Sequence, residues 1–209
     1  MRTKAVLFDL DGTLADSLPL IIRTYRKVFD EMNLPWGNGD VIKMIGLPLK
    51  TICRRFAGEK QDLFEDLYQL YYHRDHDLYI RLFPGTAAML DELKKLGIRL
   101  GIVTSKGRPG TLRTVDFTGI GRYMDVIVTA HDVSKHKPHP EPLQKALNLL
   151  GTGPEESVYV GDSIYDIITG RNAGTRTIGV TWGLGGGDEL KSLRPDGLVG
   201  NWSELKEYL

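Results

Sequence analysis

Residues 5–17 read AVLFDLDGTLADS, and this stretch decides the fold. Ala5 to Leu10 is an apolar run of strand length that ends in acidic and glycine residues, the pattern of a strand buried on both faces. Asp9 and Asp11 then fall at the C-terminal end of that strand. Working outward, Leu18, Ile21, Ile22, Tyr25, Val28, Phe29 and Met32 recur at helical spacing between about Ser17 and Asn33, and Pro19 suits a first turn. Helical stretches follow at 48–57 and 61–79. No strand of any strength is expected between Asp16 and Pro84, so this span reads as an all-helical insertion.

Past Pro84 the rhythm changes. Gly85 to Leu96 predicts a helix closed by Gly97, and Ile98 to Thr104 a strand. A helix at 109–118, a strand at 125–129, a helix from Pro140 to Leu150, a strand at 157–161, a helix at 164–173 and a strand at 176–181 follow in turn. Alternation of this kind argues an α/β fold, a parallel sheet with helices on both faces joined by right-handed crossovers. The tail from Gly183 is Gly-rich and then predicts a short helix, a short strand at Gly197 to Val199 and a terminal helix.

Composition excludes several classes. With 41% hydrophobic and 26% charged residues, the 209-residue chain can bury a core, and its length favours one large domain or a domain with an insertion. Its 27 basic and 27 acidic residues cancel, so nothing points to nucleic acid or an acidic membrane surface. Cys53 is the single cysteine, which fits a reducing compartment. Met1 to Lys4 is basic, but the apolar run behind it stops at Asp9, too short for a signal-peptide core or a membrane span. A cytoplasmic location is expected.

In an open parallel sheet, ligands bind at the C-terminal ends of the strands, so the polar residues after each apolar run are the candidates. After the first strand come Asp9, Asp11, Gly12 and Thr13; after the second, Thr104 and Ser105. Lys137 lies in the loop His136-Lys137-Pro138-His139-Pro140, and Gly161, Asp162, Ser163 and Asp166 follow the strand that begins at Ser157. Carboxylates crowded together repel unless a cation sits among them, and hard oxygen ligands with open water positions suit Mg²⁺. Lys137 and Thr104 would hold phosphoryl oxygens, and phosphoryl transfer needs mainly such positioning and charge stabilisation. Asp9 and Asp11, at i and i+2 of a strand ending, lie on one side and can divide the labour. One attacks and the other moves protons, the second role contributing about 10² to 10⁴ in rate.

Taken together, FDLDGTLADS at 8–17, IVTSK at 102–106, KPHPEP at 137–142 and VGDSIYD at 160–166 resemble the four ordered motifs of the haloacid dehalogenase superfamily. The resemblance implies a Rossmann-like core, residues 1–15 and 84–209, with a helical cap at 16–83 that closes over substrate and excludes water. It implies Asp9 as nucleophile and Asp11 as general acid/base. Mg²⁺ would be held by the Asp9 carboxylate, the Asp11 backbone carbonyl and Asp162, with Asp166 supporting the metal site. Gly12, Thr104, Ser105 and Lys137 match phosphate-binding positions. A second aspartate at position 11 favours phosphatases over dehalogenases, and Gly46-Leu47-Pro48-Leu49 with the other motifs resembles the phosphoglycolate phosphatase group and its pyrophosphate-hydrolysing relatives. The implied partner is a small phosphorylated metabolite, not nucleic acid or membrane, with the chain acting as a monomer or homodimer. His139 stands where aspartate is commoner in that group, and Ser105 where asparagine or threonine is.

Other features carry weaker readings. His73, Arg74, Asp75, His76 and Asp77 are expected on a solvated helix face, because five histidines in all can hardly supply a binuclear metal site. Gly183-Leu184-Gly185-Gly186-Gly187 fails the dinucleotide fingerprint at Asp188 and reads as a flexible loop. Lys43, Lys50, Arg54 and Arg55 are ordinary surface residues taken singly, yet at least one is expected to meet substrate, with Lys50 and Arg54 the foremost. Rival functions are a β-phosphoglucomutase-like phosphomutase, a degenerate binding protein, and a receiver-type signalling domain. The receiver's acceptor aspartate follows its third strand and not its first.

Overall fold

The computed structural model describes residues 3–209; Met1 and Arg2, within the basic start and the expected core, lie outside them. In chain order the elements are β1 (Ala5–Phe8), β2 (Ala15–Asp16), α1 (Leu18–Glu31), α2 (Leu49–Ala57), α3 (Gln61–Tyr79), β3 (Arg81–Leu82), α4 (Thr86–Lys95) and β4 (Arg99–Val103). These are followed by α5 (Arg108–Thr118), β5 (Val126–Val128), α6 (Glu141–Leu150), β6 (Ser157–Gly161), α7 (Ile164–Ala173), β7 (Arg176–Val180), α8 (Gly187–Ser192) and β8 (Gly197–Val199). Six strands form one parallel sheet in the order β5-β4-β1-β6-β7-β8, with β1 paired to both β4 and β6.

The side-chain period of two divides the core. Val6 and Phe8 of β1, Leu100 and Ile102 of β4, and Val158 and Val160 of β6 pack on one face with Leu90 and Leu93 of α4 and with Trp202. Ala5 and Leu7, Val103 and Tyr159 pack on the other with Leu143, Ala146 and Leu147 of α6. The expected run of apolar residues in β1 therefore reflects burial on both faces, all four being fully buried.

Helices α1, α2 and α3 are inserted between β1 and α4, as the sequence indicates, and their buried residues form a cluster of their own that includes Leu20, Tyr25, Phe29, Ile52, Phe64, Tyr68 and Ile80. Two details differ from expectation. The two-residue strands β2 and β3 pair antiparallel, Ala15 with Leu82 and Asp16 with Arg81, and join the entry and exit of the insertion. Two residues are too few for any period to register. The terminal helix is a 3-10 turn at Trp202–Tyr208.

Candidate active site

The backbone ladder of the sheet carries the first candidate residues to one place. Beyond the last residue of β1, Asp9 N–H donates to Val160 O at 2.9 Å, which holds Asp9 against the end of β6 where Asp162 follows. Likewise Thr104 N–H donates to Val128 O at 3.0 Å past the end of β4. After β6, Ser163 caps α7 in a capping box with Asp166, which turns Asp166 back toward the strand end.

The result is a buried cluster: Asp9, Asp162 and Asp166 each offer a carboxylate oxygen within 4.8 Å of the others. Lys137 Nζ lies 3.0 Å from Asp9 Oδ1 and 2.7 Å from Asp166 Oδ1. Asp166 is fully engaged. Its Oδ1 also accepts from the Tyr159 hydroxyl at 3.0 Å, and its Oδ2 accepts from Ser163 N–H at 3.0 Å and Ser163 Oγ at 2.6 Å. Asp162 is held more lightly, by Thr13 Oγ1 at 2.8 Å on one oxygen and Leu184 N–H at 2.7 Å on the other. Asp9 Oδ1 is buried with no hydrogen bond among the described residues, the Lys137 ammonium lying near it but off the hydrogen-bond direction.

Three carboxylates thus face one ammonium. Burial pushes Asp162 up to about 8, with the charges of Asp166 and Asp9 adding to it. Burial likewise pushes Asp9 up to about 7; Lys137 opposes the rise, and Asp166 and Asp11 add to it. Burial works against the Lys137 ammonium too, but Asp166 and Asp9 outweigh it and hold the group well above the ordinary lysine value. A small divalent cation fits this donor set: an orphaned carboxylate oxygen on Asp9, a lightly held carboxylate on Asp162, and an excess of negative charge.

Asp9 also lines a cavity of about 900 Å³ that opens between the sheet ends and the inserted helices. Asp11, Thr104, Ser105, Lys50 and Arg54 line it as well, so both foremost cap candidates reach the same space. Lys137, Asp162, Asp166 and Gly12 stand behind that lining, against Asp9 and its neighbours. The Ser105 hydroxyl is buried and has no partner among the described residues. Lys43 instead pairs with Asp40 in solvent at 3.0 Å, and Arg55 is exposed away from the cavity.

A family model described as haloacid dehalogenase-like hydrolase matches residues 6–180. The chain belongs to that family. It is 40% identical over 206 residues to pyrophosphatase PpaX of Bacillus velezensis, covering 98% of this chain and 95% of the relative. A haloacid dehalogenase-like hydrolase from Bacteroides fragilis superposes with a TM-score of 0.89 at 32% identity, covering 98% of this chain and all of that one. A Haemophilus somnus protein thought to be a phosphoglycolate phosphatase shares the fold with a TM-score of 0.90 at 24% identity, covering 100% and 98%.

In this haloacid dehalogenase-like hydrolase, several residues around the site carry no role in the sequence reading. Thr13 lies within the first motif, but its contact with Asp162 spans 149 residues. Tyr159 faces Lys137 from inside an apolar strand and looks like any core aromatic until its hydroxyl is placed. Two expectations are corrected. The glycine run after β7 is packed against the site, since a Cβ on Gly183 would collide with the Asp162 side chain and Leu184 N–H binds that carboxylate. His76 is not on a solvated face: it is fully buried, its Nε2 2.9 Å from Thr114 Oγ1 on α5. It continues the i+4 stripe of Phe64, Tyr68 and Tyr72 that α3 buries, so the helical period marked the position, and only its partner on α5 was out of reach. No helix among the described residues is long and apolar enough to cross a membrane.

Proposed function

We propose that the protein is a Mg²⁺-dependent phosphatase acting on a small phosphate of the pyrophosphate type through an aspartyl-phosphate. The observation that carries this reading is Asp9: a buried carboxylate with an orphaned oxygen, open to the cavity on one side and backed by Lys137 and the Asp162 cluster on the other. Asp9 attacks phosphorus; its oxygen–phosphorus bond forms as the bond to the leaving oxygen breaks. Asp11 donates a proton to that leaving oxygen and then takes one from the water that cleaves the acyl phosphate. Lys137, Thr104, Ser105 and the Gly12 backbone hold the transferred phosphoryl group. Asp9, Asp162 and the Asp11 carbonyl would hold Mg²⁺, with Asp166 supporting them; the bound metal supplies charge screening between nucleophile and dianion.

Residues 16–83 are read as a cap domain over a core of 1–15 and 84–209, a division supported by their separate buried cluster. Lys50 and Arg54, one turn apart on α2 and both facing the cavity, suit a second anionic group on the substrate. The name of the 40% identical relative agrees with pyrophosphate.

Phosphate release from pyrophosphate, 2-phosphoglycolate, glucose 1-phosphate and a chromogenic aryl phosphate, with Mg²⁺ and with a chelator, tests the reading. A chelator-sensitive preference for pyrophosphate is expected. Preference for 2-phosphoglycolate would move the substrate to the other branch, and activity on none of the four would remove the phosphatase assignment.

A further inference from the structure

Lys106 ends the IVTSK motif and lines the cavity, yet its ammonium is already committed. Its Nζ lies 2.8 Å from Asp11 Oδ1, 2.5 Å from the Tyr72 hydroxyl and 3.3 Å from Thr114 Oγ1, and 4.6 Å from the centroid of the Tyr72 ring. An ammonium has three hydrogens to donate, and three acceptors take them. The acceptors come from three separate parts of the molecule: the loop after β1, the cap helix α3 and the core helix α5.

The other contacts of these groups extend the same connection. Asp11 Oδ1 accepts a second hydrogen bond, from Ser17 Oγ at 2.7 Å. Ser17 occupies the N-cap position of α1 without capping it, so its hydroxyl is diverted to Asp11 from the start of the cap. On the far side, Thr114 Oγ1 meets Nε2 of His76 on α3 at 2.9 Å, and His76 Nδ1 lies 2.7 Å from Asp77 Oδ1. Thr114 and His76 are fully buried and Tyr72 nearly so. The terminal torsion of an aspartate is broad, so a carboxylate is aimed only by its partners. For Asp11 both partners sit on the cap or touch it.

We propose that Lys106 is a positioning residue that aims the Asp11 carboxylate, with the cap helix α3 holding Lys106 in place through Tyr72 while Thr114 braces it from α5. Seating of α3 on α5 thereby sets the geometry of proton transfer. The inference rests on the proton-transfer role given to Asp11 above.

The test is the dependence of kcat on leaving-group acidity across substituted phenyl phosphates, from 4-nitrophenyl to unsubstituted phenyl, with Asp11→Asn, Lys106→Met and Tyr72→Phe beside wild type. Misaiming the proton donor forfeits part of a contribution of about 10² to 10⁴. Lys106→Met and Tyr72→Phe are therefore expected to lose about tenfold in kcat on the poorest leaving group, change less than about twofold on 4-nitrophenyl phosphate, and keep KM. Tyr72→Phe retains the ring, so it reads the role even if Lys106→Met does not fold. If Asp11→Asn steepens the dependence and the other two variants leave it at the wild-type slope, the positioning role is overturned. If Asp11→Asn itself leaves the slope unchanged, the proton-transfer assignment falls instead. A raised KM with kcat retained in Lys106→Met would make Lys106 a substrate ligand and also overturn the proposal.

Discussion

Lys137 Nζ donates to Asp166 Oδ1 at 2.7 Å with both side chains 1% exposed, so the ammonium that faces Asp9 is itself anchored by the N3 residue of the α7 capping box. Removing it leaves Asp9 and Asp166 buried without their cation. Lys137→Met is expected to destabilise the metal-free protein by about 3–5 kcal/mol, the scale for breaking a buried ion pair from one side. Urea unfolding measures it, and a change below about 1 kcal/mol would mean the cluster is solvated and not buried.

Asp9→Asn is nearly isosteric and takes one negative charge from three crowded carboxylates. Turnover should fall on the order of 10⁴-fold or more, as expected for loss of a nucleophile, while the thermal midpoint without metal stays level or rises. Phosphate release and a melting curve report the two effects. Substantial residual activity would reassign the nucleophile.

The raised carboxyls give stability a pH dependence. Asp9, at about 7, and Asp162, at about 8, both exceed the ordinary 3.8, so the metal-free native state keeps protons that the unfolded chain releases. Their stabilising effect is complete below about 4 and is lost as pH rises through about 7 to 8. Mg²⁺ competes with those protons, so the rise in melting temperature it produces should grow across the same range. A rise independent of pH would place the metal away from these carboxylates.

Gly183→Ala forces a Cβ into the Asp162 side chain. The expected outcome is a loss of Mg²⁺ affinity of roughly 10- to 100-fold, the range for disturbing the groups that orient a ligand, read by calorimetric titration of the folded protein. Gly186→Ala, where a Cβ meets nothing, is the control and should bind normally.

The local period of apolar residues determined most of this protein from sequence alone. β6 and β8 match their expected bounds, β1, β4, β5 and β7 lie within theirs, and the insertion is helical, because a strand buried on both faces and an amphipathic helix each leave a mark within ten or so residues. The candidate residues were legible for a related reason. Parallel strands end on one edge of the sheet, so Asp9, Thr104 and Asp162 could be found among the polar residues just beyond each strand.

Tertiary structure alone decided what those groups touch. Thr13 meets Asp162 across 149 positions, Lys106 meets Asp11 across 95, and His76 meets Thr114 across 38. A local period can mark a position as buried, as it does for His76, but it cannot say which distant residue meets it. Whether a glycine run is loose or packed, and which groups a buried lysine or histidine touches, depend on the surface that arrives from elsewhere in the chain. That surface exists only once the sheet and the inserted helices have packed together.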